Sequence, residues 1–396
     1  MFSKSVIIPA LAIAGQAAAQ CSTSGTFTIQ NQGDAGTLSG CQTYTGSIAI
    51  QTGVSSDISL DGVRAITGDL VADNAVGLPS LSASSLETIG QAFSLTNMTL
   101  LTSLTFPRLS RVGSLNWQTL PRLSSLGFTS GVERADSVRI VDTQLGSLDG
   151  INLETVGEFT ISNNNQLNEI EMQLEQVTGA WNIEFNGRNT SVSLPNLENA
   201  FNMTFRNVSS VSIPSLASVN SSIGFWGCTF GSLAAPNLTT VGGSVTLNSN
   251  TQLTNVSMPR LTSIRGALQV ANNTEYDNID GFQAVTQVGG AVDCYGNFTD
   301  VQLPKLSNVA GAFNLQSSAN IDQTCSRFQP LTGRDNVIKG EFTCRGMQSR
   351  PGGVGTPASG SSSSSSQSGA AGKELYARSS AVTGVLGVFA ALLGML

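Results

Sequence analysis

The strongest constraint on this chain is a phrase of about 22 residues that recurs along most of its length. In the segment Ala235–Asn250, APNLTTVGGSVTLNSN, the phrase begins with Leu238 and Val241. An alternating apolar pair, Val245 and Leu247, follows. This alternation has the period of two that predicts a β-strand with one face turned inward.

The first apolar residue of each pair marks the repeat, and successive markers lie 20 to 24 residues apart. So narrow a spread is typical of a solenoid of stacked units. In one repeat the pair is either Phe201 with Met203 or Met203 with Phe205, and both choices keep the spacing. We take the fourteen markers as Phe27, Ile48, Leu70, Phe93, Leu115, Val138, Phe159, Trp181, Phe201, Ile223, Val245, Leu268, Val292 and Phe313.

The residues around each pair favour strands over helices. Val, Ile, Thr and Phe are common there, and these side chains fit a pleated, half-buried surface. A solenoid grows by adding repeats, so a chain of 396 residues does not require a second core. The sequence therefore predicts an all-β fold, a β-solenoid of the β-helix kind with about fourteen 22-residue rungs.

The composition of the chain excludes several kinds of function. There is no histidine, which excludes histidine-based catalytic triads and histidine metal sites. Only 11% of the residues are charged, the net charge is -7 and there is no basic stripe, so nucleic acid is not an expected partner. The sequence also has no glycine-rich phosphate loop and no acidic calcium repeat, so no cofactor or metal is expected.

Residues 1–19 have the features of a secretory signal peptide. Lys4 lies in a short charged region, an apolar run extends from Val6 to Ala14, and three alanines precede Gln20. A transmembrane anchor is the alternative, but this apolar run is too short to cross about 30 Å of hydrocarbon. The sequence therefore predicts secretion into an oxidising compartment, which permits disulfides.

Four of the six cysteines lie where a solenoid needs to be closed. Cys21 and Cys41 bracket the first rung, and Cys325 and Cys344 bracket a charged segment after the last. A solenoid exposes its core at both ends, so we predict that these two pairs form disulfides that close the ends. In the chain-entropy model, each loop of about 20 residues contributes ~3 kcal/mol of stability.

The other two cysteines, Cys228 and Cys294, call for a different interpretation. Cys294 takes the inward position that Leu247 holds in its own rung, and Cys228 lies at a strand end three rungs earlier. About 14 Å of strand spacing should separate them, which is too far for a disulfide. Both are predicted to be free thiols and mostly buried.

The middle of the chain is rich in N-x-S/T sequons, and in a secreted chain these predict substantial N-glycosylation. Some of these asparagines could instead stack as internal hydrogen-bonding ladders. Asn272 is the doubtful one, because it holds the strand-end place shared by Asn74, Asn97 and Asn163. The nine predicted sites are Asn97, Asn189, Asn202, Asn207, Asn220, Asn237, Asn255, Asn272 and Asn297.

The repeat ends after Cys344, so residues 20–345 are predicted to form the solenoid domain with its caps. Residues 346–369 are a Gly/Pro/Ser-rich stalk, and residues 370–396 resemble a propeptide removed during attachment of a glycosylphosphatidylinositol (GPI) lipid. The signal consists of small residues, a polar spacer and the apolar tail 381–396, with Gly369 as the predicted attachment residue. A transmembrane helix is the alternative, but the tail is short and no basic residue follows it.

A solenoid that cleaves polysaccharide needs two carboxylates close together, one acting as acid and the other as base or nucleophile. By the register of the repeat, only Asp69 with Asp73, and Glu158 with Glu184, could lie close together. Isolated surface acids explain both pairs more simply than a catalytic site does, because a solvated carboxylate needs no special role. The outward carboxylates predicted for the best-defined strand are Asp69, Asp73, Glu158, Glu184 and Asp293.

Aromatic residues offer no clearer site. Trp226 and Tyr295 should point outward and could stack on sugar rings, but they lie three rungs apart and form no platform. Trp117 and Trp181 occupy inward positions and should belong to the core. No catalytic residue is therefore predicted.

The combination of features resembles one fungal family. The repeats contain L-P-x-L-x-x-V phrases, as at Leu303 to Val309 and Ile213 to Val219, between the signal peptide, the cysteine pairs and the Ser-rich tail. In this combination the chain is similar to the GPI-anchored cell-wall organisation proteins, which are related to sporulation-specific wall proteins and have receptor L-domain-like repeats. The resemblance implies a non-enzymatic role at the outer face of the plasma membrane and in the wall.

Three functional hypotheses remain open at this stage. The first is a GPI-anchored glycoprotein that supports wall organisation, with wall glucan or other wall glycoproteins as partners and the plasma membrane reached through the lipid. The second is a β-helix polysaccharide hydrolase or lyase. The third is an adhesin or receptor-like ectodomain that binds a protein ligand.

Overall fold

The computed structural model describes residues 21–354, which form a parallel β-solenoid. The predicted signal peptide, the distal stalk and the predicted GPI segment lie outside these residues. Fourteen strands stack in parallel, one per rung, which confirms the predicted fold. They are Ser22–Ile29, Thr43–Ile50, Leu70–Asp73, Thr88–Thr96, Arg111–Leu120, Ser137–Thr143, Glu158–Ser162, Gln176–Glu184, Asn199–Arg206, Ile223–Trp226, Val245–Asn248, Leu268–Ala271, Val292–Gly296 and Phe313–Ser317.

Shorter strands extend this sheet and form a second side. Ala65–Ile66, Thr155–Val156, Ser218–Val219, Thr240–Val241, Ser263–Ile264, Gln287–Val288 and Asn308–Val309 belong to the main sheet, as does the capping strand Phe342–Arg345. The second side consists of four small parallel sheets. Their strands are Ile58–Ser59, Ser80–Ser82, Ser103–Thr105 and Leu126–Gly127; Glu169–Glu171, Ser191–Ser193 and Ser210–Ser212; Ser232–Ala234 and Asn255–Ser257; and Asn278–Ile279 and Asp300–Val301.

The core follows the period-two pattern of the sequence. Val245 and Leu247 are fully buried, whereas Thr246 between them faces outward. Equivalent residues stack from rung to rung, so that Val245 pairs with Leu268 in the next strand. Trp181 is buried and stacks on Phe159, with 4.4 Å between ring centroids, which confirms that it belongs to the core.

The ambiguous repeat is resolved in favour of its second register. Trp181 pairs with Met203, and Ile183 pairs with Phe205. Phe201 is 47% exposed, so taking it as an inward marker was wrong. An irregularity in the pairing just before Trp181 and Met203 lets the backbone shift without changing the interior stack.

Both ends of the solenoid are closed as predicted. Cys21 and Cys41 form a disulfide at the first rung, and Cys325 and Cys344 form one after the last. Short helices lie beside these bonds, at Gln32–Gly36, at Asp322–Phe328 and, as a 3-10 turn, at Gln329–Leu331. They cover the apolar ends, which would otherwise be open to water.

Cys228 and Cys294 are free and buried, as the spacing predicted. The Cys228 thiol lies 3.6 Å from the carbonyl oxygen of Phe205. Burial raises the pKa of this thiol to about 11 and also raises the pKa of the Cys294 thiol. Neither cysteine therefore has the lowered pKa of a reactive thiolate.

Buried asparagines form hydrogen-bond ladders beside the apolar stack, but none of them is a sequon. Asn250 Oδ1 accepts from the backbone N–H of Cys228 at 2.9 Å. Its Nδ2 donates to Asn273 Oδ1 at 3.0 Å and to the carbonyl of Phe225 at 3.2 Å. A second ladder joins Asn164 to Asn186 at 3.1 Å. Each amide satisfies backbone groups of neighbouring rungs that would otherwise be buried without partners.

Where the long strands end, the chain turns through a left-handed backbone conformation in rung after rung. Asparagine and aspartate tolerate this conformation because their short side chains bond to the local backbone. We call this series of positions the left-handed column. Its members are Asn74, Asn97, Thr119, Asp142, Asn163, Phe185, Asn207, Gly227, Ser249 and Asn272, with φ between 52° and 59°.

Candidate functional site

The outer surface of the fourteen long strands, here called the long face, belongs to the sheet with the most strands in the described residues. Its central positions carry mostly small polar or uncharged side chains at the strand spacing of about 4.8 Å. Where the row is exposed, its hydroxyl and amide groups can donate hydrogen bonds to a ligand and accept them from it. The central residues are Thr28, Ala49, Val71, Ser94, Asn116, Arg139, Thr160, Asn182, Thr204, Gly224, Thr246, Gln269, Asp293 and Asn314.

The structure separates the carboxylates that the sequence suggested as pairs. Glu184 aligns with Ser162, which is four residues along the strand from Glu158. At about 3.3 Å per residue this offset is ~13 Å. Asp69 and Asp73 have the same four-residue offset, because Asp69 directly precedes the strand Leu70–Asp73 and Asp73 ends it. Both distances exceed what a pair of glycosidase carboxylates requires, so neither suggested pair exists.

Glu184 has a different partner on the long face. Its Oε1 lies 3.4 Å from Nε of Arg206 in the next rung. The guanidinium of Arg206 lies over the ring of Trp226, one rung further, at 4.5 Å from the ring centroid. This row of three side chains is exposed enough to contact a ligand, and the cation–π contact holds the indole in place.

The segment of residues 349–354, here called the strap, lies across the end of the long face. The carbonyl of Gly352 accepts from Asn314 Nδ2 at 2.9 Å, and the N–H of Val354 donates to Asp293 Oδ1 at 3.2 Å. A Cβ added to Gly353 would lie 2.9 Å from the ring of Tyr295, so a larger residue at this position would require the ring to move. The predicted stalk therefore begins with residues that pack on the solenoid.

The strap buries a carboxylate that the sequence expected to be exposed. Asp293 is only 7% exposed. Its Oδ1 accepts from Asn314 Nδ2 at 2.8 Å and its Oδ2 accepts from Gln269 Nε2 at 3.1 Å. Burial raises the pKa of this carboxyl group, and the hydrogen bonds from Asn314, Gln269 and Val354 act in the opposite direction.

This raised pKa predicts an unusual pH dependence. Because the folded pKa lies above the ordinary value of 3.8, the folded state holds the proton more tightly than the unfolded chain. The stabilisation from Asp293 is therefore fully present at pH values below the ordinary pKa of the unfolded chain. It is lost as the pH rises through the pKa of the folded state. We expect the wild-type protein to lose stability relative to Asp293→Asn as the pH rises from about 4 towards neutrality. Urea unfolding of both proteins over this range measures the difference, and parallel stability curves would contradict the assignment.

All nine sequon asparagines lie within the described residues, and none is buried. Asn97, Asn202 and Asn207 are half-buried. The other six are exposed: Asn189, Asn220, Asn237, Asn255, Asn272 and Asn297. Their positions are compatible with the predicted glycosylation, and their occupancy stays a prediction.

The second side of the solenoid contains a shallow groove of about 460 Å³. Pro259, Gln283 and Pro304 line it together with the charged residues Asp280 and Lys305. It holds one carboxylate and therefore offers no acid–base pair for glycoside cleavage. Within residues 21–354, no cluster of potential metal ligands is present, and no helix is long and apolar enough to cross a membrane.

A disulfide-capped parallel solenoid with a row of polar side chains along one face is typical of an extracellular repeat protein that acts through its surface. The comparisons with known proteins agree with this class. The family described as "Ecm33: GPI-anchored cell wall organization protein" matches residues 1–39. No solved structure matches the chain.

Several curated relatives match over most of their length. Protein ecm33 of Aspergillus fumigatus is 43% identical, over 91% of this chain and 89% of the relative. Cell wall protein ecm33 of Schizosaccharomyces pombe is 39% identical, over 84% of this chain and 78% of the relative. Sporulation-specific protein 2 of Saccharomyces cerevisiae is 34% identical, over 82% of this chain and 66% of the relative. The chain belongs to this family of GPI-anchored cell-wall organisation proteins.

Proposed function

We propose that this protein is a non-enzymatic, GPI-anchored glycoprotein of the fungal cell surface that supports the organisation and integrity of the wall. The observation that carries the proposal is the match to Ecm33 relatives over 84 to 91% of the chain, one of which is named a cell wall protein. The long face supports it, since its hydroxyl and amide groups suit contact with glycans or wall glycoproteins. The wide separation of the outward carboxylates argues against the alternative of a polysaccharide hydrolase or lyase.

The route to the surface is part of the proposal. Residues 1–19 direct the chain to secretion, and residues 370–396 are exchanged for the lipid at Gly369. Residues 346–369 then connect the solenoid to the membrane, with the first of them packed on the long face. Wall glucan and other wall glycoproteins are the proposed partners of the exposed surfaces.

A complementation experiment tests this function. In a fungal strain that lacks the protein, the full chain should restore growth on wall-perturbing dyes. Truncation after Ser368 should send the protein into the medium and leave the strain sensitive, because the anchor signal is lost. Treatment of membranes with phosphatidylinositol-specific phospholipase C should release the full-length protein, and glucanase should release any wall-bound fraction.

A matched variant separates the wall role from an enzymatic one. Replacing Asp69 and Asp73 by Asn and Glu158 and Glu184 by Gln removes the candidate carboxylates without changing side-chain size. We expect this variant to restore growth as well as the wild-type chain does. Loss of restoration together with loss of a polysaccharide-degrading activity would favour the enzyme hypothesis. Full restoration by the truncated, secreted form would contradict the need for an anchor.

A further inference from the structure

Phe185 departs from the pattern of the left-handed column. Its φ is 52°, a conformation that is unfavourable for a bulky residue, and its side chain is 54% exposed. The other members of the column are Asn, Asp, Thr, Ser and Gly. An exposed phenyl ring contributes nothing to the core, so neither burial nor backbone preference explains why phenylalanine stands here. Such a local conflict at the surface points to a binding role.

The neighbour of Phe185 in the next rung is a sequon asparagine. Glu184 pairs with Arg206, and the N–H of Phe185 donates to the carbonyl of Arg206 at 3.3 Å. Phe185 and Asn207 therefore occupy equivalent positions, one strand spacing apart. Asn207 has a φ of 57° and begins the sequence Asn207-Val208-Ser209.

On the side of Asn207 away from Phe185, the next residue of the column has no side chain to fill the surface. The N–H of Asn207 donates to the carbonyl of Trp226 at 3.1 Å, so Gly227 is the next member of the column. A Cβ added to Gly227 would meet nothing within 4 Å. Asn207 thus lies between Phe185 in the preceding rung and Gly227 in the next, where the space for a side chain is open.

We propose that Asn207 carries an N-linked glycan whose first sugar residue packs on the ring of Phe185. Side chains in equivalent positions of a parallel sheet lie about 4.8 Å apart, a separation at which two stacked rings are in contact. The C–H groups on one face of a pyranose are weakly positive, whereas the face of a phenyl ring is negative. The sugar covers apolar surface that the protein alone leaves exposed.

The covalent step is the ordinary one for this modification. One hydrogen of the Asn207 side-chain amide is replaced by C1 of the sugar, and the new bond is C1–Nδ2. The donor is a sugar joined through C1 to a lipid pyrophosphate; the C1–O bond to that pyrophosphate breaks, the lipid pyrophosphate leaves with the bonding electrons, and the amide proton goes to solvent. The attached amide keeps one N–H.

The other sequons of the column lack this arrangement. Asn97 Nδ2 donates to Asn74 Oδ1 at 2.5 Å, so its neighbour is an amide. Asn272 follows Ser249 in the column, because the N–H of Ser249 donates to the carbonyl of Ala271. Among these three sites, only Asn207 follows an aromatic residue in the left-handed column.

The test compares the enzymatic release of glycans from the folded, mature protein purified from a fungal host. Peptide N-glycosidase F should release the Asn207 glycan severalfold faster from Phe185→Ala than from the wild-type protein, because the packed sugar is less accessible. The glycan on exposed Asn189 should be released at the same rate from both proteins. Phe201→Ala, which removes a ring of similar exposure elsewhere, should change neither rate. Site-by-site mass spectrometry measures each rate.

A thermodynamic cycle provides a second readout. Phe185→Ala should lower the folding equilibrium constant by about two- to tenfold more in the glycosylated protein than in the Asn207→Gln background. Alanine keeps the Cβ at positive φ, so backbone strain cancels in the comparison. An unmodified Asn207, or a release rate and a stability change that do not depend on Phe185, would overturn the proposal. Both measurements concern the folded domain and leave the proposed wall function untouched.

Discussion

Replacing Leu247 by Ala is expected to lower the free energy of unfolding by about 2 to 5 kcal/mol. Leu247 is fully buried and lies between Phe225 of the preceding strand and Val270 of the following one. Truncation removes apolar contacts and leaves a cavity, because the stacked neighbours are fixed by their own rungs and cannot collapse into it. Denaturant unfolding of the purified protein measures this loss.

Thr246→Ala is the matched control, one residue away on the same strand. Thr246 faces outward on the long face, so its replacement should change stability by less than about 0.5 kcal/mol. Equal losses from the two variants would show that the inward and outward positions of this strand are misassigned. A large loss from Thr246→Ala alone would show the register to be shifted by one residue.

Replacing Asn250 by Ala is expected to cost about 3 to 5 kcal/mol, because it breaks one ladder in its middle. The change leaves the N–H of Cys228 and the carbonyl of Phe225 buried without their side-chain partner. It also removes the amide donor to Asn273 Oδ1. Each such group carries a desolvation cost of ~1 to 3 kcal/mol when it is left unsatisfied.

Two further variants test whether the loss of stability arises from the hydrogen bonds of the ladder. Asn250→Asp keeps the size of the side chain and can still accept from Cys228, but it places a second acceptor against Asn273 Oδ1 and should be strongly destabilising. Asn248→Ala, two residues earlier on the long face, should cost less than about 1 kcal/mol. Full stability of Asn250→Ala, measured by denaturant unfolding, would contradict the role assigned to the ladder.

The fold could be predicted because the repeat satisfies two independent requirements at once. The period of two places Val245 and Leu247 on one side of a strand, and the spacing of about 22 residues brings Leu268 next to Val245. The marker Phe201 failed because three alternating apolar residues, Phe201, Met203 and Phe205, fit two registers. Sequence spacing alone could not choose between them.

The features that define the candidate sites depend on contacts that cannot be predicted from the period of the repeat. The strap lies beyond the repeat, so nothing in the pattern predicted that it would bury Asp293. The suggested carboxylate pairs failed because neighbouring rungs bring together residues of equal position, and Glu158 and Glu184 differ by four. Phe185 left one signal, since it stands at the strand-end place where other rungs have asparagine.

The interior ladders left a comparable signal. Asn164, Asn186, Asn250 and Asn273 recur at the fifth residue after the marker of their rung. The sequon pattern points to other asparagines, which lie at the surface, because it requires a Ser or Thr two residues after the asparagine. The ladder asparagines lack that residue. Hydrogen-bond requirements of buried backbone groups, which decide where these ladders run, are visible only once the rungs are stacked.

We propose that the disulfide-capped solenoid is held at the cell surface by a GPI lipid, and the C-terminal peptide of the mature protein tests this attachment. Mass spectrometry of the protein isolated from fungal membranes should find a last residue at Gly369, or within one or two residues of it, carrying the ethanolamine phosphate of the anchor. Residues 381–396 should be absent. Recovery of residues 381–396 in the mature, membrane-bound protein would contradict the GPI anchor.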